Sequence, residues 1–229
     1  MKMKNKVLTV LTVLPLITTA IVLRFMPDKI PAHYDAAGNI DRWGSKYESF
    51  VLPGIIVIMT LFWLCFIKYF ENKQKKSTND KEVKESENNA KMLYYVADSM
   101  AIMFGVMQYF ILYSAFVASK GEFTASAVDF SVVTNVCMGI MFIVLGNILP
   151  KAKKNSIVGV RTVWSMHNDR TWATSNRMGG VLLMLSGVLT ILESLIIGGI
   201  LSTFVMLGIL VLDTILSMVY SYKMYQKYR

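Results

Sequence analysis

The stretch that decides the fold runs from residue 179 to residue 220 and reads GGVLLMLSGVLTILESLIIGGILSTFVMLGILVLDTILSMVY. It is almost entirely apolar, and its length is twice the roughly 20 residues that a helix needs to cross a bilayer. Gly198 and Gly199 stand near its middle and allow the chain to reverse there. The stretch therefore predicts two membrane-spanning helices joined by a tight turn.

Four more apolar segments of spanning length precede this stretch. The six predicted spans are Val7–Met26, Phe50–Phe70, Leu93–Phe116, Phe130–Pro150, Gly179–Gly199 and Ile200–Tyr220. A helix satisfies its own backbone hydrogen bonds in lipid, so the sequence predicts an all-α, polytopic integral membrane protein with six transmembrane helices. The first span also has features of a signal peptide, but its apolar run continues past Thr18, Thr19 and Ala20, which favours an uncleaved helix.

Composition excludes several classes of protein. Of the 229 residues, 54% are hydrophobic and only 17% are charged, whereas a soluble domain carries about 25% charged residues. Only two cysteines are present, Cys65 and Cys137, and both fall inside predicted spans, which excludes a disulfide-rich secreted scaffold. We interpret both cysteines as small apolar packing residues.

The net charge of +9 first suggests nucleic acid as a partner. Of the 24 Lys and Arg residues, however, 19 lie on the side of the membrane that holds both termini, four lie in the opposite loops, and Arg24 lies in the first span. This asymmetry predicts a protein of the cell (plasma) membrane with both termini in the cytoplasm. The charge then marks topology and attracts anionic lipid, and direct binding of nucleic acid is not predicted.

The loops divide the chain into modules. Residues 1–70 form a predicted N-terminal two-span module with a structured extracellular loop at 27–48. Residues 71–92 form a charged cytoplasmic loop, which is either solvated or a helical extension of a neighbouring span. Residues 93–229 form a predicted four-span module with a distinctive cytoplasmic loop at 151–178.

The extracellular loop reads PDKIPAHYDAAGNIDRWGSK over residues 27–46. Its prolines hold the chain extended, and its glycines allow turns, so we predict a compact outer cap with Tyr34 and Trp43 at the headgroup level. His33, Asp35 and Asp41 are of metal-binding type, but an H-x-D pattern alone does not define a ligand set. No metal and no cofactor are predicted.

The cytoplasmic loop contains VGVRTVWSMHNDRTWATSNRMGG, residues 158–180. Asn168 is a good helix N-cap, so we predict a helix that begins there and continues into the fifth span. Trp164 and Trp172 suit the membrane interface, where an indole buries its ring and keeps its N–H in water. The residues alone leave two interpretations open, an interfacial amphipathic anchor and a binding site.

Both loops resemble a known family. The cytoplasmic loop resembles the signature loop of the SdpI family of bacterial immunity membrane proteins, with Val163, Ser165 and Arg170 departing from the usual Pro, Thr and acidic residue. The extracellular loop resembles the small domain of unknown function that often forms the front half of such proteins. The matching positions are Gly159, Arg161, Thr162, Trp164, Trp172 and Arg177 in the first loop, and Pro31, His33, Tyr34, Gly38, Asp41, Gly44, Ser45 and Lys46 in the second.

The resemblance implies a function that is not enzymatic. It implies protection against a secreted toxin peptide that attacks the membrane. In some members it also implies signalling, in which the immunity protein holds a small winged-helix autorepressor of the ArsR type at the membrane. The extracellular loop would then meet the toxin, and the cytoplasmic loop would bind the repressor. The sequence also lacks H-E-x-x-H and G-x-S-x-G motifs, which gives no support to an intramembrane enzyme.

The charged residues within the predicted spans include Arg24, Asp98, Glu193 and Asp213. A charge at the centre of a bilayer costs about 2.5–3.5 kcal/mol or more, so each needs a partner or a cavity. The rise of about 1.5 Å per helical residue gives the depth of each group in the membrane. Arg24 and Glu193 have depths that allow an ion pair, and Asp98 and Asp213 lie near enough to the inner surface to meet the arginines of the cytoplasmic loop. These residues are either clamps between helices or a functional polar core. The alternative function is a small proton-linked membrane transporter or a lipid or peptide carrier.

Overall fold

The computed structural model describes residues 2–35, 37–121, 128–155 and 157–229. Within these residues the chain forms six long helices: α1 (Lys2–Val22), α2 (Val51–Lys76), α3 (Asp80–Ser119), α4 (Phe130–Ile148), α5 (Asp169–Ile197) and α6 (Gly199–Tyr228). All six are long and apolar enough to cross a membrane. The prediction of a helical, multi-pass membrane protein is confirmed.

Local signals place several helix ends where the sequence predicted them. Gly198 (φ +65°) and Gly199 (φ +57°) form the turn between α5 and α6, with backbone angles that glycine adopts without strain. Asn168 caps α5, because its side chain accepts hydrogen bonds from the backbone N–H groups of Arg170 and Thr171.

The charged segment 71–92 is helical except at a short break. Helix α2 continues to Lys76, and α3 begins at Asp80, with the Asn79 side chain as its cap. An ion pair of 3.0 Å between Lys73 and Glu82 joins the two helices across the break. Of the two conformations that the sequence left open, the structure therefore has helical extensions of the neighbouring spans.

One element is missing from the all-α prediction. After a 3-10 turn at Leu23–Phe25, strands β1 (Lys29–Tyr34) and β2 (Ile40–Ser45) form an antiparallel hairpin. The Asp35 carboxylate closes the turn, because it accepts hydrogen bonds from the backbone N–H groups of Ala37 (2.9 Å) and Asn39 (2.8 Å). Gly38 allows the turn with a φ of +83°. The extended conformation was expected, but the pairing of the two segments was not.

The helices pack as two groups of three. Helices α1, α2 and α3 pack together, α4, α5 and α6 form the second group, and α3 packs on α4 to join them. The hairpin lies against α3, where Ile30 and Met26 pack on Leu112 and Ala115. We call this end of the bundle the hairpin end, and the opposite end, which carries residues 151–168, the loop end.

Helices α4 and α5 approach unusually closely because glycines face each other. A Cβ at Gly187 would lie 2.5 Å from the carbonyl oxygen of Gly139, and one at Gly139 would lie 2.7 Å from that of Gly187. Gly146 and Gly180 repeat this contact two helical turns away. A Cβ at Gly146 would lie 2.6 Å from the carbonyl oxygen of Gly180, and one at Gly180 would lie 2.5 Å from that of Gly146. Small residues of this kind let membrane helices pack backbone to backbone.

Candidate functional sites

Several of the predicted extracellular-loop residues hold the hairpin to the start of α2. A Cβ at Gly44 would lie 2.1 Å from Oε1 of Glu48, so the side chain of Glu48 occupies that space. Ser45 and Glu48 form a capping box. The Ser45 side chain accepts a hydrogen bond from a backbone N–H of the turn, and the Glu48 side chain accepts one from the backbone N–H of Ser45. Arg42 donates to the same carboxylate at 2.8 Å, and this contact raises the pKa of the guanidinium.

Two other polar pairs brace the hairpin. Lys46 forms an ion pair with Asp28 at 3.0 Å, and Nδ1 of His33 lies 2.7 Å from Oδ1 of Asp41. Among the residues that the structure describes, no group of three His, Cys, Asp or Glu side chains is placed to hold a metal. His33 and Asp41 form a hydrogen-bonded pair that connects the two strands of the hairpin.

A cavity of about 820 Å³ opens at the hairpin end. Four of the eight predicted extracellular-loop residues line it, namely Pro31, His33, Tyr34 and Gly38, whereas Asp41, Gly44, Ser45 and Lys46 do not. The rest of its wall comes from α3, from the beginning of α4 and from the first turn of α6, and includes Met107, Ile111, Asp129, Phe130, Thr134, Gly199 and Ile200. The cavity therefore lies between the two helix groups and is mostly apolar.

Tyr34 and Asp129 join the elements around this cavity. The Tyr34 ring packs on Phe130 with centroids 5.5 Å apart, and its hydroxyl lies 3.3 Å from Oγ of Ser114. Burial raises the pKa of Tyr34, so the phenol stays protonated. Asp129 caps α4 through Oδ1 and accepts the N–H of Gly199 through Oδ2 at 2.6 Å.

At the loop end, three of the predicted binding residues build the loop itself. Trp172 is 2% exposed and donates from Nε1 to the carbonyl of Ala152 at 2.8 Å. Gly159 (φ +139°) lies against the Trp172 ring, where a Cβ would come within 2.8 Å. Thr162 bonds to Ser221 of α6 at 2.6 Å. The expectation that the Trp172 N–H stays in water is wrong, because the indole N–H finds a buried acceptor.

Two edge-to-face ring contacts and one cation–π contact fasten the loop to the end of α6, and we call this series of contacts the stacked ladder. Three side chains of the segment 164–170 each contact a tyrosine near the end of α6. Successive members are three residues apart in both segments. The pairs are Trp164 with Tyr222 (centroids 5.1 Å apart), His167 with Tyr225 (5.0 Å), and Arg170 with Tyr228 (guanidinium carbon 4.2 Å from the ring centroid). This stacked ladder makes the loop and α6 one unit at the loop end.

The remaining predicted loop residues are exposed. Arg161 and Arg177 are exposed, and Val163 between the signature residues is 85% exposed. Arg161 also lines a second cavity of about 570 Å³, together with Trp164, Ser217 and the intramembrane Asp213. Arg161 and Asp213 share this cavity without an ion pair between the described atoms.

The expected ion pair between Arg24 and Glu193 does not form among the described residues. Helix α1 packs on α2 and α3, whereas α5 packs on α4 and α6, so the two side chains belong to different groups of helices. Glu193 instead accepts a hydrogen bond from Ser194 at 3.2 Å. Asp98 lies in α3 and does not line the loop-end cavity that holds Asp213.

Sequence reasoning missed several polar residues that organise both ends. Asn155 and Asn176 are buried; the Asn155 side chain bonds the backbone of Ile157 and Val158, and the Asn176 side chain accepts the N–H of Val160. No periodic pattern marks them. Asp129 carried a usable signal, because an acidic residue directly before an apolar run is a helix N-cap signature.

Comparisons with known proteins agree with this geometry. Residues 10–57 match a domain of unknown function, DUF1648, and residues 151–221 match the SdpI/YfhL protein family. The chain is also similar to the immunity protein SdpI of Bacillus subtilis (strain 168), with 22% identity over 98% of this chain and 97% of that protein. No solved structure matches the chain. The two family matches, the similarity along the whole length and the six apolar helices lead to one conclusion: the chain is a multi-pass membrane protein that resembles the SdpI/YfhL family and a known immunity protein.

Proposed function

We propose that this protein protects the cell membrane against a secreted toxin peptide by binding the peptide in the hairpin-end cavity. In this proposal the hairpin faces outward and both termini are cytoplasmic. The distribution of Lys and Arg supports that orientation, because 19 of 24 lie on the side of the termini. The similarity to an immunity protein supports the role in protection.

The observation that carries the proposal is where the cavity lies. Its wall includes hairpin residues from the segment matched as DUF1648, and Gly199 and Ile200 from the segment matched as SdpI. A ligand there would contact both segments at once. Its volume of about 820 Å³ falls in the range of about 300–1,000 Å³ that is usual for ligand pockets. A few apolar side chains of a peptide would fit.

Filling the cavity should abolish protection. Thr134 lines the cavity, and Thr134→Trp would place a large ring in it. We expect at least a tenfold loss of protection, which corresponds to about 1.4 kcal/mol of binding free energy. The measurement is membrane depolarisation of a toxin-sensitive bacterium that expresses each variant, challenged with the secreted peptide fraction of the source strain. Thr9→Trp, at an exposed site on α1, is the matched control. Full protection by Thr134→Trp at normal protein levels contradicts the proposal.

We further propose that the loop end binds a small winged-helix repressor of the ArsR type. Two features support this. The loop is held rigidly by Trp172 and the stacked ladder, and it presents the exposed cations Arg161 and Arg177 to the cytoplasm in the proposed orientation. Exposed arginines suit an acidic protein surface.

Removing both cations should release the repressor. We expect the double variant Arg161→Ala/Arg177→Ala to lose recruitment of a fluorescently labelled repressor of the ArsR type to the membrane in toxin-treated cells. Arg229→Ala removes a cation from the same side and should leave recruitment intact. Equal recruitment by the double variant and by Arg229→Ala, at equal protein levels, rules out these arginines as the docking surface.

A further inference from the structure

The hairpin-end cavity has an unusual charge for this protein. The chain carries a net charge of +9, yet the described lining of the cavity contains two carboxylates, Asp35 and Asp129, and no Lys or Arg. His33 also lines it, but this imidazole lies 2.7 Å from Asp41, so the pair adds no net positive charge. The cavity is therefore an electronegative site on a basic protein.

Both carboxylates are held in place by backbone N–H groups. Asp35 is held by the N–H groups of the hairpin turn and by the Asn39 side chain at 3.0 Å, and these bonds lower the pKa of its carboxyl. Asp129 is held by the N-terminus of α4 and by Gly199. Neither carboxylate forms an ion pair within the described part of the chain.

The helix dipole does not cancel this charge. The N-terminus of α4 contributes about half a positive charge, while the two carboxylates contribute two negative charges. The backbone bonds fix both groups in position, and both are exposed at the cavity. The apolar side chains of Met107, Ile111 and Ile200 complete the wall beside them.

We infer that this cavity selects a peptide segment that presents a positive charge, a lysine, an arginine or a free amino terminus, next to apolar side chains. The inference rests on the proposed function, because it names the class of toxin that the cavity accepts. The cationic group lies between Asp35 and Asp129, and the apolar side chains pack on α3 and on Phe130. An acidic peptide of the same shape is rejected by repulsion from the two carboxylates.

Charged thiol reagents can measure this selectivity directly. The protein is prepared at full length in phosphatidylcholine nanodiscs with Cys65→Ala and Cys137→Ala, and Thr134→Cys introduces a thiol in the cavity wall. The readout is the rate ratio between a trimethylammonium-ethyl and a sulfonato-ethyl methanethiosulfonate. We expect this ratio to be about fivefold higher at Thr134→Cys than at Tyr47→Cys, which lies at an exposed site on the same end, since negative charges in the cavity wall attract the cationic reagent and repel the anionic one.

Neutralising the carboxylates should remove the preference. Asp35→Asn and Asp129→Asn keep acceptors for the turn and cap but lose the charge, and each should lower the ratio at least twofold. Glu87→Gln, which removes an exposed carboxylate at the loop end, should leave it unchanged. The double variant Asp35→Asn/Asp129→Asn should also lose at least tenfold in protection against the peptide fraction.

The outcomes separate the two proposals. A rate ratio at Thr134→Cys that equals the one at Tyr47→Cys, or that ignores both neutralisations, overturns the charge selectivity. Full protection by the neutralised double variant, together with no protection by Thr134→Trp, overturns the charge selectivity and leaves the proposed function intact. Full protection by Thr134→Trp overturns the proposed function itself.

Discussion

Replacing Trp172 with alanine is expected to destabilise the protein by about 3–5 kcal/mol, the range for truncating a buried aromatic side chain. Trp172 is 2% exposed, and its ring is the surface on which Gly159 packs. Its loss would leave a cavity under the loop and would also remove the hydrogen bond from Nε1 to Ala152. The measurement is the free energy of unfolding in detergent micelles, followed by circular dichroism.

Two further variants separate the parts of this effect. Trp172→Phe keeps an aromatic ring but loses the hydrogen bond. The missing bond should cost about 0.5–1.5 kcal/mol, in addition to the packing that is lost with the smaller ring. Trp43→Ala removes an indole that is 51% exposed on the hairpin and should cost less than about 0.5 kcal/mol. Equal losses for Trp172→Ala and Trp43→Ala would show that Trp172 does not support the loop.

Substituting leucine for Gly187 is expected to separate α4 from α5. The new Cβ would lie 2.5 Å from a backbone carbonyl oxygen of α4, and a backbone atom cannot move aside as a flexible side chain can. Overpacking of this kind costs about 1–3 kcal/mol or more. We expect a lower midpoint in titrations with a denaturing detergent, together with earlier elution in size-exclusion chromatography if the helices part.

The same change at a glycine without neighbours is the control. A Cβ at Gly208 of α6 would meet nothing within 4 Å. Gly208→Leu should therefore leave the midpoint unchanged or raise it slightly, since leucine favours the helix more than glycine does. Equal destabilisation at Gly187 and Gly208 would mean that the close packing of α4 on α5 does not stabilise the fold.

The sequence was enough to predict features that depend on composition over a fixed length or on neighbouring residues. Six spans follow from apolar runs of bilayer length. The turn at Gly198–Gly199 and the cap at Asn168 follow from residues that act on their own backbone. Each of these signals can be interpreted without knowing which helices are neighbours.

Features that depend on packing could not be predicted in this way. Gly139 and Gly187 are informative only once α4 and α5 are known to be antiparallel neighbours. Arg24 and Glu193 had compatible depths, but depth does not say which helices touch. Trp172 has the amphipathic character of an interface residue, and only the nearby carbonyl of Ala152 explains its burial.

The sequence identified the two loops that form the candidate sites, but not the role of each residue within them. Both loops were identified from their residues, but the residues within each loop have different roles. Gly44 and Ser45 maintain backbone shape, Tyr34 and Arg161 line cavities, and Gly159 does both. A linear sequence does not separate these roles, because both kinds of residue belong to the same motif.

Helix α6 links the two ends of the molecule without an intermediate element. Its first turn lines the hairpin-end cavity at Gly199 and Ile200, and its last turns carry the tyrosines of the stacked ladder. With 30 residues, the helix is about 45 Å long at 1.5 Å per residue. A lever of that length, pivoting by about 4° at its glycine pair, moves its far end by roughly 3 Å, comparable to the thickness of an aromatic ring. A small displacement of the helix at the hairpin-end cavity would therefore be larger at the loop end.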